Sequence, residues 1–128
     1  MESPYTQIVR GIMVAAEALD HARHMAPFDD TLVWADLGSV ATNMDSIRAA
    51  DREFLSSMRS VEGAFGEMSV EVLGSTGAAV TTTFEVILTD TTGTQIPVAG
   101  AATYVFTRRA TGWKIVHGHR SMPLPGSE

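Results

Sequence analysis

The chain has no cysteine among its 128 residues, which excludes disulfides, thiolate nucleophiles and cysteine-based zinc sites. Basic charge is scarce. Nine Lys and Arg stand against fifteen Asp and Glu, the net charge is −6, and no basic run occurs. A nucleic-acid backbone needs clustered cations, so nucleic acid is not an expected partner. No apolar run reaches the ~20 residues that cross a bilayer, so no membrane span is expected. The opening MESPYTQIVR starts acidic and carries no cleavage-like stretch. No signal peptide is expected there, and the cytoplasm is the default location. The glycines make no phosphate-loop spacing, and the chain shows no internal repeat, linker or low-complexity segment.

Hydrophobic residues are 45% of the chain, enough for a core, and the length predicts one domain over residues 1–128. Ser3-Pro4 reads as a helix start, with Ser as cap and Pro at the first helical position. Ile8, Ile12, Ala15, Ala16 and Leu19 follow at helical spacing, and Val9 and Met13 widen the stripe. Asp20 can cap a second short helix through His24, which Pro27 ends. Phe28-Asp29-Asp30 reads as a connector, Thr31 to Ala35 as a strand and Asp36-Leu37-Gly38-Ser39 as a turn. Asp45 or Ser46 can cap a further helix from Ile47 to about Ser60, with Gly63 as its stop. From Glu67 the period changes to two. Met68 to Leu73, Val80 to Thr89 and the last two strands are joined by Gly-containing turns, and Pro123-Leu124-Pro125-Gly126 forms a tail. Helices segregated from four long consecutive strands predict an α+β fold. Its strongly curved, mostly antiparallel sheet would wrap about three helices towards the N-terminal side, leaving a conical cavity.

The last hairpin, GAATYVFTRRATGWKIVHGHRSMP, is the place where chemistry is expected. Its loop ends in Gly112, and its length decides which face each side chain occupies. A four-residue loop pairs Arg108 with Trp113, Phe106 with Ile115, Tyr104 with His117 and Ala102 with His119. A three-residue loop instead sets Val105 opposite His117. The four-residue register is preferred because it faces aromatic against aliphatic side chains. It puts Trp113, Ile115, His117, His119 and Ser121 on one face.

The Trp-x-Ile-Val-His-x-His-x-Ser ending from Trp113 to Ser121 follows a Tyr-Val-Phe-x-Arg strand and a Gly turn. With Phe28-Asp-Asp-Thr-Leu-Val-Trp-Ala-Asp-Leu-Gly-Ser-Val and Asp45-Ser-Ile-Arg-Ala-Ala, it resembles the SnoaL-like domains of the nuclear-transport-factor-2-like superfamily. The resemblance covers nearly the whole chain and is carried by order and spacing. It implies a cone-shaped α+β fold, a pocket between sheet and helices, and a homodimer through the sheet. The superfamily includes polyketide cyclases, ketosteroid isomerases, dehydratases, epoxide hydrolases and modules that only bind or associate, so the fold leaves the function open. The isomerase-type catalytic Asp position is Ala35 here. The neighbouring Asp36 is expected on the other face, and the second acid position is Tyr104.

Within that frame His119 is the expected acid–base or ligand-binding residue, because it faces the small Ala102, and Tyr104 is the orienting hydroxyl. Glu17 or Asp20 would fix the imidazole tautomer. The pocket is expected to be lined by Met13, Trp34, Phe84, Phe106, Ile115, His117 and Ser121. The bland alternatives are histidines satisfied by protein partners, solvated carboxylates and core aromatics. His21 and His24 read as lying on a solvated helix face or near a helix end. Arg108-Arg109 reads as a solvated hairpin end, with anion capture as the sharper alternative. No metal site or cofactor is called for. The expected ligand is small, apolar and oxygenated. The expected role is a cofactor-free lyase, isomerase or hydrolase, or a non-catalytic ligand-binding or dimerising module.

Overall fold

The computed structural model describes residues 2–123, so most of the expected tail lies outside the described residues. Among the described residues three helices, α1 (Pro4–Glu17), α2 (His21–Met25) and α3 (Met44–Ser56), accompany seven strands. The strands are β1 (Phe28–Asp36), β2 (Ser39–Ala41), β3 (Met58–Phe65), β4 (Ser69–Val72), β5 (Gly77–Asp90), β6 (Gln95–Arg109) and β7 (Gly112–Ser121). They form one open sheet in the order β2-β1-β7-β6-β5-β3, with β4 also on β5. The architecture is the α+β cone. All pairings are antiparallel except β1 with β7, which is parallel. No helix among the described residues is long and apolar enough to cross a membrane.

Local chemistry explains the helix boundaries. Ser3 accepts the Thr6 amide at 3.1 Å and Pro4 opens α1. The helix buries Val9, Ile12, Ala15 and Ala16. It ends with Leu19 at φ 54°, where the Asp20 and Leu19 amides return to the Ala15 and Ala16 carbonyls, a Schellman-type closure. Asp20 caps α2 through the Arg23 amide at 3.1 Å, as the sequence suggests. Asn43, not Asp45 or Ser46, caps α3 through the Ser46 amide at 3.0 Å.

Two segments differ from the sequence reading. Phe28-Asp29-Asp30 belongs to β1, and Met58–Phe65 is a strand paired with β5, not the end of a helix. Ladder hydrogen bonds to the long β5 outweigh the helical spacing there. Gly63 is no stop. A Cβ on it would lie 2.8 Å from both Met13 Sδ and a Val86 methyl, so its bareness lets α1 lie close to the sheet.

The core forms where α1 and α2 meet the concave face of β5, β6 and β7. Val80, Ala102, Phe106, Leu32 and Ile115 are all at most 3% exposed. On β7 the four-residue register holds from the turn to Ile115, pairing Arg108 with Trp113 and Phe106 with Ile115. There the ladder shifts. Val105 faces His117, Tyr104 faces Gly118, Thr103 faces His119 and Ala102 faces Arg120. Val116 is the extra residue of a β-bulge, and beyond it every side chain changes face.

Candidate functional site

The bulge decides which groups reach the concave face. It turns Gly118 and Arg120 inward and His117 and His119 outward, where both histidines are exposed. Gly118 is needed because the Trp34 ring lies over it, and a Cβ would fall inside that ring. Trp34 therefore sits against the sheet, 6.2 Å from the Tyr104 ring and edge-on to Phe28 at 6.1 Å. Phe65 meets Tyr104 edge-on at 6.5 Å.

At the rim of this aromatic cluster Asp36 and Arg120 form an ion pair. Arg120 Nε donates to Asp36 Oδ1 at 3.2 Å, and its Nη2 donates to Oδ2. The Trp34 indole N–H points at the same carboxylate, 3.4 Å away, and the guanidinium lies over the indole ring at 5.9 Å. Asp36 is thus on the face of Trp34 and Tyr104, contrary to the expectation from the sequence. Residues i and i+2 of a strand share a face.

Tyr104 is 6% exposed, and burial pushes its phenol up to about 12, with the Arg120 charge opposing that rise. It is a neutral hydrogen-bond donor throughout the ordinary pH range. Its hydroxyl has no hydrogen-bond partner among the described residues.

The other expected site residues fall as follows. His119 does not meet Tyr104, and His117 lines no concave surface; both expectations are corrected by the bulge. Ser121 is exposed beside Ala101 on the outer face. Glu17 is exposed and accepts the Gly63 amide at 3.3 Å, so it selects no imidazole tautomer. Asp20 is occupied as the cap of α2. Met13 packs towards Gly63 on the α1 side of the sheet. Phe84, Phe106 and Ile115 are core residues at 6%, 1% and 0% exposure, and Trp34 is half-buried at the concave face.

A second cluster joins residues that the sequence left on a solvated face. His24 Nδ1 and His21 Nδ1 lie 2.7 and 2.9 Å from the two oxygens of Asp51 on α3. Burial pushes the Asp51 carboxyl up, but the hydrogen bonds and charges of His24 and His21 outweigh it, and its pKa ends below the ordinary value. The i, i+3 histidine spacing is visible in the sequence; the partner 27 residues further on is not. Among the described residues no three His, Asp or Glu side chains converge as metal ligands.

A cone-shaped α+β domain with an aromatic, polar-rimmed concave face is the class of protein these features define. The chain belongs to the SnoaL-like domain family, whose pattern it matches over residues 6–125. It is similar to a nuclear-transport-factor-2-like superfamily protein from Salmonella enterica, with a TM-score of 0.84 at 15% identity, covering 96% of this chain and 91% of that one. It is also similar to a provisionally named dehydratase of the nuclear-transport-factor-2-like family from Streptomyces avermitilis (TM-score 0.81, 17% identity, 94% of each chain). The association domain of calcium/calmodulin-dependent protein kinase II from C. elegans matches too (TM-score 0.75, 17% identity, 92% of each chain). At these identities the likeness concerns the fold alone. Among curated proteins no significant sequence match is found.

Proposed function

We propose that this domain binds a small, apolar, oxygenated molecule on its concave face, with Tyr104 donating a hydrogen bond to a ligand oxygen. One observation carries the reading: a buried phenol, neutral in the ordinary pH range and walled by Trp34 and Phe65, whose hydroxyl has no hydrogen-bond partner among the described residues. A hydrogen bond to an otherwise unpartnered donor is the usual way such a face fixes ligand orientation.

Binding without turnover is favoured over catalysis by a second observation. The carboxylate at the rim of this wall, Asp36, already accepts hydrogen bonds from Arg120 and the Trp34 indole, so its oxygens serve protein donors rather than a substrate. The two β7 histidines face away. The reading also includes a single domain working as a homodimer in the cytoplasm, two copies meeting across the outer face of the sheet. That face mixes Thr81, Thr83, Thr103 and Val105 with Ile87, which is 45% exposed.

The test uses Trp34 as reporter in a Trp113→Phe background, which leaves one indole. A panel of aromatic ketones, lactones and phenols is titrated by fluorescence. A member that binds should shift the Trp34 emission saturably. Tyr104→Phe should weaken that ligand about tenfold, the equivalent of one hydrogen bond of roughly 1.4 kcal/mol. If no member perturbs Trp34, or Tyr104→Phe leaves every affinity unchanged, the reading fails. Conversion of a bound ligand to product would replace the binding-only reading with the enzymatic one.

A further inference from the structure

A groove of about 640 Å³ lies apart from the concave face, and none of Trp34, Asp36, Tyr104 or Arg120 lines it. Four parts of the fold converge on it: α2, the start of β1 with Phe28, Asp29 and Asp30, the face of α3 that carries Arg48 and Arg52, and the β6–β7 hairpin with Arg109 and Lys114. Arg48 and Arg52 are one turn apart and so share a side of the helix. Four cations thus meet around one concavity in a chain of net charge −6, against two carboxylates, Asp29 and Asp30.

The cations differ in how firmly they are held. Arg109 is committed, donating to both oxygens of Asp29 at 3.1 and 3.3 Å. Hydrogen bonds from Arg109 and from Thr31 hold the Asp29 carboxyl down at about 2, so it stays charged. Lys114 Nζ donates to the Ala26 carbonyl at 2.8 Å. Among the described residues Arg48 pairs only with Asp30, whose side chain is 84% exposed, a surface pair that water and salt readily exchange. Arg52 has no ion-pair partner among the described residues. His21 also lines the groove. Asp51 engages its Nδ1, which leaves Nε2 as the nitrogen open to a ligand. Met25 and Phe28, each 8% exposed, supply an apolar floor.

We propose that this groove binds the oxyanion group of a small molecule, a carboxylate or a phosphate carried on a flat apolar body. Planar guanidinium groups match such oxyanions through paired N–H donors, and Arg52 and Arg48 are the two free to turn to one. The floor of Met25 and Phe28 takes the apolar body. The volume lies in the range of roughly 300–1,000 Å³ typical of small-molecule sites, too small for a polymer groove.

Benzoate and phenyl phosphate are the probes, titrated calorimetrically into the full chain, with uncharged benzamide as control. Benzoate or phenyl phosphate should bind saturably, the better of the two identifying the oxyanion, and benzamide should not. Arg52→Gln should weaken the better probe at least about tenfold, the loss expected for a charge-assisted hydrogen bond. Asp30→Asn, which releases Arg48, should tighten it. Arg10→Gln removes an equal charge from the exposed Arg10–Glu2 pair of α1 and should change nothing. Circular dichroism of each variant confirms the fold. The proposal is overturned if neither anion binds, if benzamide binds as well as benzoate, or if Arg52→Gln has no more effect than Arg10→Gln.

Discussion

Asp51 shows how one residue can tie two helices together. It is the shared acceptor of His21 and His24, so α2, only five residues long, is fastened to α3 through a carboxylate that is 12% exposed. A helix that short gains little from its own hydrogen bonds. Its order therefore depends on this clasp, on the Asp20 cap and on buried Met25. The pH dependence follows from the direction of the shift. The folded pKa of Asp51 is below its ordinary value of 3.8. Its contribution is thus present above 3.8 and is lost as the pH falls through the lower folded value. Asp51→Asn should cost about 1–3 kcal/mol near neutral pH. The gap to the wild type should close in strongly acid solution. Thermal melts of both proteins across the acid range check this; a gap that stays constant would show that Asp51 contributes packing alone.

At the scale of elements, a tight turn and a bulge place the side chains of the sheet. The β1–β2 turn holds Leu37 at φ 48° and Gly38 at φ 84°, the two positive values of a type I′ hairpin. Gly38 suits this; Leu37 pays a steric cost for its Cβ, and at 64% exposure its side chain gains little packing in return. Leu37→Asn should therefore stabilise the domain by roughly 1 kcal/mol, since Asn tolerates the left-handed region far better. Urea denaturation reads the change, and a loss of stability would mean that Leu37 packs against something its exposure does not reveal. The Val116 bulge has the larger consequence. It turns a histidine pair outward and Arg120 inward, so a guanidinium rather than an imidazole stands near Tyr104.

At the scale of the whole molecule, the helices cover the concave face and leave the opposite face open. There the threonines of β5 and β6 alternate with Ile87 and Val105, and Thr81 and Thr103 hydrogen-bond across strands at 3.0 Å. A semi-apolar sheet face of this kind is the natural seat of the dimer proposed above. Sedimentation equilibrium at micromolar concentration should report a dimer. Thr103→Arg, which sets a charge in the middle of that face, should return it to monomer while leaving the circular dichroism unchanged. A wild-type protein that sediments only as monomer would remove the dimer from the reading.

Order, spacing and turn chemistry are local properties, and the amino-acid sequence by itself determined them. The apolar stripe of α1, the Asp20 cap, the change of period before β4 and the Gly112 turn are all legible, because each is fixed by residues within a few positions of one another. Together they give the α+β cone and its family. The hairpin register is legible only as far as Ile115. The bulge that follows answers to Trp34, some eighty positions earlier in the chain, whose ring needs the bare backbone of Gly118 beneath it. A glycine between two histidines in a strand was the one local sign of such close approach. The clasp of His21 and His24 on Asp51, the Asp36–Arg120 pair and the gathering of Arg48, Arg52, Arg109 and Lys114 around one groove leave no trace in periodicity. Those contacts join different elements, and only the packing of helices on the curved sheet decides which distant charges become neighbours.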